Sequence, residues 1–159
     1  MVLLVLSALL TAEATEIGTT RKVGAGVALG TPTSVTGKLF LTEGSGIVAA
    51  VDYEPVFRTV GVRGTYEGRL ARFGEWQWGA FDLMGKGSAV VHTGGAHVGG
   101  VTRLGGGGGL GLAVLLADTP LEIYNELQVM VYPVSVASGA YWAPGMVGVN
   151  GSLGVRYYW

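Results

Sequence analysis

Residues 147–159, VGVNGSLGVRYYW, place an apolar or aromatic side chain at almost every second position. On this parity lie Val147, Val149, Gly151, Leu153, Val155, Tyr157 and Trp159. The residues between them are mostly small or polar, namely Gly148, Asn150, Ser152, Gly154, Arg156 and Tyr158. Because successive side chains of a β-strand point to opposite faces, the stretch predicts a strand with one apolar face and one polar face. Such a strand promotes aggregation when its edge is unpaired in water, whereas it suits the closing strand of a barrel whose outer face meets lipid.

The composition of the whole chain agrees with a transmembrane barrel. Hydrophobic residues make up 49% of the 159 residues and charged residues only 13%, against roughly 25% charged in an ordinary soluble domain. No run approaches the roughly 18–20 apolar residues of a membrane-spanning helix. Apolar residues that are abundant but dispersed are typical of transmembrane strands. The net charge of −1 gives no reason to expect a nucleic-acid partner, and the absence of cysteine excludes disulfides and thiolate metal sites.

The first residues have the pattern of an export signal. A short apolar run from Val2 to Leu10 is followed by Ala12 and Ala14, which have the small-residue spacing of a cleavage site. No Lys or Arg precedes the run, and a buried helix or strand is the alternative interpretation. We predict a secretory signal peptide over residues 1–14, a short N-terminal segment over 15–21 and a barrel domain over 22–159.

Alternating segments separated by turn residues predict the strands of this domain. We expect eight, over residues 22–30, 36–41, 47–53, 56–67, 76–86, 110–116, 121–131 and 147–159. An even number suits a bacterial antiparallel up-and-down barrel. With the C-terminus in the periplasm, connections 42–46, 68–75 and 117–120 are periplasmic, and the longer connections 87–106 and 133–145 lie outside. The five glycines at 105–109 are interpreted as a flexible segment that leads into a strand.

Charged residues fall on the inward parity of the predicted strands. This set consists of Arg63, Glu67, Glu122, Glu126 and Arg156. The lumen of an eight-stranded barrel is just wide enough to be filled by side chains, and an unpaired buried charge is costly. We therefore expect a structural network of ion pairs and hydrogen bonds that plugs the lumen, with glycines where the interior has little room. A proton- or ion-conducting role is the alternative.

The sequence offers weak candidates for catalysis or for cofactor binding. His92 and His97 lie near Ser88 and Asp82, but their spacing matches no metal motif and the chain has no third histidine. We expect both histidines in a solvated outer loop. The glycine run lacks the Lys and Ser/Thr of a phosphate-binding loop. We therefore predict no catalytic residues, no metal site and no cofactor.

Aromatic residues cluster near the ends of the predicted strands. They are Tyr53, Phe57, Tyr66, Trp76, Trp78, Tyr132, Tyr141, Trp142, Tyr157 and Trp159. Aromatic side chains favour the headgroup region of a bilayer and form girdles around barrels. We expect such girdles here, and the alternative is a sugar-binding surface formed by Tyr141 and Trp142 in an outer loop.

Three segments resemble small, uncharacterised bacterial outer-membrane β-barrel domain proteins of the size of OmpA- and OmpX-type barrels. The segments are GVALGTPTSVTGKLFL (26–41), LLADTPLEIYNEL (115–127) and GSLGVRYYW (151–159). The resemblance implies a fold and an outer-membrane location rather than an activity. It also implies that the closing strand is the signal read by the barrel-assembly machinery, through Leu153, Val155, Tyr157 and Trp159. The expected partners are therefore this machinery and outer-membrane lipid, with the barrel itself a monomer.

Three functions remain open for such a chain. The first is an integral outer-membrane barrel with a structural or surface-interaction, adhesion-like role. The second is a lipid-modifying or lipid-binding barrel, which as an enzyme needs a Ser/His/acid set that the sequence does not assemble. The third is a soluble lipocalin-like carrier, which needs a large apolar set inside and charges outside. We favour the first, and expect no enzyme activity.

Overall fold

The alternation of residues 147–159 recurs along the chain. In a computed structural model of the protein, the alternating segments form β-strands. The structure describes residues 16–55, 58–94, 100–137 and 146–159. The predicted signal peptide lies outside the described residues, as do Phe57, His97, Tyr141 and Trp142. Within the described residues the strands are β1 (Val23–Thr31), β2 (Thr33–Thr42), β3 (Ser45–Glu54), β4 (Thr59–Trp76), β5 (Gly79–Gly94), β6 (Val101–Leu116), β7 (Leu121–Ala137) and β8 (Met146–Tyr158).

These strands form a closed barrel. Each strand pairs antiparallel with the next, and β8 pairs antiparallel with β1. In this closing pair Gly24 lies opposite Tyr158, and Val27 lies opposite Val155. The prediction of an all-β, eight-stranded, antiparallel up-and-down barrel is therefore confirmed for the described residues. Closure leaves the apolar strand β8 no unpaired edge through which to aggregate.

Two predicted connections prove to be strand. Residues 68–75 belong to β4, and the turn after it consists of Gln77 and Trp78. The glycine run 105–109 lies inside β6, with Gly107 opposite Ser88 on one side and Met130 on the other. The prediction of a flexible segment was wrong because glycine has a low propensity for β-strand, so that the run considered without its neighbours indicates a loop. Here two neighbouring strands pair with the run and supply the side chains that fill the space around it.

The predicted outer connections are also shorter than expected. β5 continues to Gly94 and β6 begins at Val101, so that most of 87–106 is paired strand. The predicted connection begins at Pro133, whereas β7 continues past this residue to Ala137. The pairing register between β6 and β7 shifts between Leu104 and Gly106, so that a bulge lies at the level of Pro133. Proline is tolerated at such a bulge.

The barrel has two different ends. At the turn end lie Trp159 and the turns that join β2 to β3, β4 to β5 and β6 to β7. At the loop end lie the connections β1–β2, β3–β4, β5–β6 and β7–β8. Among the described residues, no helix is long and apolar enough to span a bilayer.

Burial divides the side chains of the strands into two faces. Outward positions carry exposed apolar side chains, such as Leu29 with 69% exposure and Val147 with 68%. Inward positions carry buried polar side chains, and on β2 these are Ser34, Thr36 and Lys38. The interior of this barrel is therefore more polar than its surface, which is the reverse of a water-soluble domain.

Candidate functional site

The barrel interior holds the five charged residues that the sequence placed there. Arg63, Glu67, Glu122, Glu126 and Arg156 are all buried. They lie on β4, β7 and β8, which are brought together only when the sheet closes. On the opposite face of β8, Leu153, Val155 and Tyr157 are exposed, and so is Trp159 directly after the strand.

The structure adds three further charged residues to this set. The lumen network, as we call it, consists of Lys38, Asp52, Arg63, Glu67, Lys86, Glu122, Glu126 and Arg156. Ion pairs connect all eight, and no side chain in the network is more than 6% exposed. Four are cations and four are anions, so that the network is electrically neutral. Neutrality matters because a buried charge without a partner costs several kcal/mol.

Arg63 connects the loop-end part of the network to its centre. Its Nε lies 3.0 Å from Asp52 Oδ2, and its Nη1 lies 3.0 Å from Glu126 Oε1. Ser34 donates a hydrogen bond of 2.7 Å to Asp52, and Ser152 donates one of 3.1 Å to Glu126. Both carboxylates are thus held by a guanidinium and a hydroxyl, which satisfies several of their lone pairs.

Glu67 lies at the centre of the network. Its two carboxylate oxygens form ion pairs with two different lysines, at 2.6 Å from Lys86 Nζ and 2.9 Å from Lys38 Nζ. Lys86 also donates to Glu126 at 2.8 Å, and Lys38 to Glu122 at 3.1 Å. Each lysine therefore bridges two carboxylates, and Glu67 joins the two halves of the network.

Glu122 and Arg156 form the turn-end part of the network, as the predicted orientation of β7 and β8 requires. Arg156 Nη1 lies 3.1 Å from Glu122 Oε2, and the Tyr158 hydroxyl donates to the same carboxylate. The guanidinium also lies over the Tyr124 ring, 3.8 Å from its centre. This cation–π contact stabilises a charge that is out of contact with solvent.

For Lys38 and Asp52, two of the three added residues, the alternation of the sequence carries a signal of an inward position. Lys38 shares the inward parity of β2 with Ser34 and Thr36, and Asp52 shares that of β3 with Ala50. The parity of each strand was enough to place these side chains inside. Their partners were not predictable, because the partners lie on strands whose register and distance across the lumen appear only in the closed barrel.

Several inward glycines lie directly opposite large inward side chains on the neighbouring strand. Gly24 is opposite Tyr158, and a methyl group added there would lie 2.6 Å from the Tyr158 ring. Gly154 stands in the same relation to Tyr124. Glycine thus provides the space in which each ring packs across the barrel wall. By contrast, outward Gly64 has no atom within 4 Å of an added methyl group.

The turn end of the lumen is closed by a second cluster and by the N-terminal segment. Asp82 pairs with Arg72 at 2.7 Å and with Arg69 at 3.6 Å. In the segment predicted as 15–21, Ile17 is 2% exposed and packs with Phe40 and Tyr158 inside this end. The cavity between Phe40 and the network measures only ≈ 10 Å³, enough for about one water molecule.

His92 is not in a solvated loop, contrary to prediction. It lies on β5, buried and inward, and its ring packs against Gly61 on β4. The structure does not bring it together with Ser88 and Asp82. Ser88 donates to Gln128 at 2.7 Å, and Asp82 pairs with arginines at the turn end. The prediction failed because the glycine-rich residues around His92 were interpreted as loop, although those up to Gly94 belong to β5.

Asn125 and Tyr132 depart from the expected pattern of the two faces. Asn125 lies on the outer face, where its Oδ1 accepts a hydrogen bond of 2.9 Å from the backbone N–H of Leu112. Tyr132, predicted in an aromatic girdle, is buried and faces the lumen.

At the turn end, Trp76 stacks on Trp78 with 5.2 Å between ring centres, and Tyr157 stacks on Trp159.

The described residues bring no three His, Cys, Asp or Glu side chains together in a way that would hold a metal ion. Every carboxylate of the lumen network accepts from a cation, so that none is positioned to act as a base on a substrate. The arrangement is therefore suited to filling and stiffening the lumen. No family model, no curated protein sequence and no solved structure matches this chain.

Proposed function

We propose that the chain is a small integral β-barrel of a bacterial outer membrane, with a lumen plugged by side chains and a structural or surface-interaction role. The observation that carries this proposal is the placement of charge. Among the described residues, the exposed charged ones lie in turns or at strand ends, and they are Glu16, Lys22, Glu43, Arg58, Glu75 and Asp118. The outward faces of the eight strands between these ends carry no Lys, Arg, Asp or Glu.

The outer wall supports a lipid environment. Leu29, Val62 and Leu127 are each at least 60% exposed and lie on three different strands around the barrel. A soluble monomer rarely exposes a contiguous apolar patch of more than a few hundred Å². In a bilayer the same wall needs no cover, because the surrounding acyl chains are equally apolar.

Every strand is long enough to cross a bilayer. β1, β2 and β3 contain 9, 10 and 10 residues, and the other five strands are longer, with 13 to 18 residues. A transmembrane strand tilted by about 45° needs roughly 9–11 residues to cross the hydrocarbon core. In this proposal the turn end faces the periplasm, the loop end faces outward, and outer-membrane lipid surrounds a monomer.

The lumen network argues against a soluble carrier. A lipocalin-like barrel needs an apolar cavity for its ligand, whereas the centre of this barrel is filled by eight paired charges. It also argues against an open pore, since a neutral network without exposed side chains leaves no continuous water path. The serine and aspartate considered as candidates for catalysis bond to other residues, because Ser88 donates to Gln128 and Asp82 accepts from Arg72.

The test of location is expression in a Gram-negative host followed by membrane fractionation. We expect the chain in the outer-membrane fraction, with faster gel mobility in an unboiled sample than in a boiled one. A matched sample of Tyr157→Asp controls for nonspecific sedimentation, because it places a charge on the outward face of β8. Recovery of the unaltered chain as a soluble periplasmic protein would overturn the proposal.

The test of the plug is recording in planar bilayers. We expect no large, stable conductance from the purified barrel. Reproducible conductance steps would refute the closed lumen and favour an ion-conducting role.

A further inference from the structure

The residues directly before β1 fold into a small cap at the turn end of the barrel. This cap, residues 16–21, is held together by bonds within itself. The carbonyl oxygen of Glu16 accepts from the backbone N–H groups of residues 19–21, at 3.2, 3.1 and 3.0 Å. The N–H of Gly18 donates to the carbonyl oxygen of Arg21 at 2.9 Å, and the Arg21 guanidinium pairs with the Glu16 carboxylate at 2.7 Å. The cap therefore has a compact shape that its own bonds determine.

The cap has one apolar anchor and a polar outer side. Ile17, the anchor, is 2% exposed, whereas Glu16, Thr19 and Thr20 are exposed. Gly18 is buried beside the anchor with a φ of +87°, and a methyl group added there would lie 3.0 Å from a backbone oxygen of the β2–β3 turn. The cap thus fits closely against the mouth of the barrel and presents hydrogen-bonding groups to water.

The anchor connects opposite walls of the barrel. Ile17 forms one core cluster with Phe40 on β2, Ala80 on β5, Leu115 on β6 and Tyr158 on β8. In the closed ring of eight strands, β2 and β6 are diametrically opposite, and β8 is the last strand to be added along the chain. The complete binding surface for the anchor therefore exists only after the barrel has closed.

The anchor also lies next to the closing seam and to the lumen network. Tyr158 belongs to β8, which pairs with β1 directly after the cap. Its hydroxyl donates to Glu122, and its ring centre lies 5.6 Å from that of Phe40. The Phe40 ring in turn lies 4.4 Å from Lys38 Nζ. Two aromatic rings thus form a layer between the anchor and the paired charges of the lumen.

We propose that the cap is a latch, which seats in the turn end after the barrel has closed and then slows its opening. A stabilising contact that is absent from the folding transition state slows unfolding and leaves the folding rate unchanged. The contacts of Ile17 belong to this class, because they require opposite walls that are both in place. The latch also seals the turn end of the lumen network from water. Its action is independent of the membrane, and only its position on the periplasmic side rests on the proposed function.

Folding and unfolding rates test the latch directly. The chain is diluted from urea into detergent micelles, and gel mobility without boiling follows the appearance of the heat-modifiable form. Folded barrels are then transferred into concentrated urea, and the loss of the same form is followed. Ile17→Ala removes the anchor. Thr20→Ala is the matched control, because its side chain is exposed on the outer side of the same cap.

We expect Ile17→Ala to unfold at least about 30 times faster than the unaltered chain, since truncation of a buried isoleucine to alanine shifts the folding equilibrium by about this factor or more. The rate at which this variant folds should stay within about twofold of that of the unaltered chain. Thr20→Ala should change neither rate by more than about twofold, as is usual for an exposed position.

Cysteine labelling tests the seal separately. The chain has no cysteine, so that Ala80→Cys places a single thiol in the cluster around the anchor. We expect this thiol to be protected from a water-soluble methanethiosulfonate in the folded barrel, and to react at least about tenfold faster when Ile17→Ala is added. Ala28→Cys is the control, because Ala28 is 1% exposed but packs with Tyr124 in another cluster, and it should stay protected in both backgrounds.

The latch is overturned if Ile17→Ala slows folding as much as it speeds unfolding, or never reaches the heat-modifiable form, because the anchor then acts before closure. It is equally overturned if this variant unfolds as slowly as Thr20→Ala, or if the thiol at position 80 reacts as readily with the anchor as without it. A missing heat-modifiable form in the unaltered chain counts against the proposed function instead.

Discussion

Glu67→Gln tests the lumen network at its most connected residue. The substitution keeps the shape of a side chain that is 2% exposed, and removes the charge that faces Lys86 at 2.6 Å and Lys38 at 2.9 Å. The network then has four cations and three anions in a space without solvent. Removing one partner of a buried ion pair typically costs about 3–5 kcal/mol. We expect a loss near the lower figure, because the amide oxygen still accepts from one lysine.

The assay is urea-induced unfolding of the barrel in phospholipid vesicles, followed by tryptophan fluorescence and by gel mobility without boiling. Glu43→Gln is the matched control, because its carboxylate pairs with Arg69 at the turn end with 56% exposure. Exposed pairs contribute about 0–1 kcal/mol, so that this variant should unfold almost as the unaltered chain does.

A double variant distinguishes a loss of stability caused by charge imbalance from one caused by altered side-chain packing. Lys86→Met alone should destabilise the barrel, since it leaves Glu67 and Glu126 each with one partner fewer. Combined with Glu67→Gln it restores neutrality, and we expect the double variant to cost at least about 1 kcal/mol less than the sum of the singles. Strict additivity, or a Glu67→Gln variant as stable as the Glu43→Gln control, would refute the reasoning.

The remaining predictions concern the wall and the closing strand. Val155→Arg should cost about 2–4 kcal/mol in vesicle unfolding, against roughly 0–1 kcal/mol for Val147→Arg near the loop end, and equal costs would show that Val155 does not face the membrane interior. Gly154→Ala should cost about 1–3 kcal/mol because its methyl group meets the Tyr124 ring, whereas Gly64→Ala, which meets nothing within 4 Å, should be close to neutral. Deletion of Trp159, or Tyr157→Asp, should lower outer-membrane levels in immunoblots of fractionated cells, and normal accumulation of both variants would show that the terminal pattern is incidental to assembly.

The sequence predicted those features that depend on the alternation of neighbouring residues. The parity of β8 gave its outward Leu153 and Val155, and the same argument placed Arg63 and Glu67 inside β4. These predictions needed no knowledge of which strand lies next to which. The strand number followed because turn residues interrupt the alternation at most of the true turns.

Features that depend on contacts across the barrel were not predictable in this way. The run 105–109 has no side chains to alternate, and its strand conformation results from pairing with β5 and β7. His92 was misplaced for the same reason, because glycines follow it in the sequence. The partners of Lys38 lie on β4 and β7, and no local pattern indicates them.

Electron paramagnetic resonance of single spin labels tests most directly whether the apolar outer wall meets lipid. The chain has no cysteine, so that single-cysteine variants at Leu127 on the outer wall and at Asp118 in the β6–β7 turn each take one label. In folded barrels in vesicles, we predict that the label at Leu127 is accessible to oxygen and protected from a water-soluble nickel chelate, with the reverse at Asp118. A label at Leu127 that the nickel chelate reaches as easily as the label at Asp118 would contradict a membrane-spanning barrel.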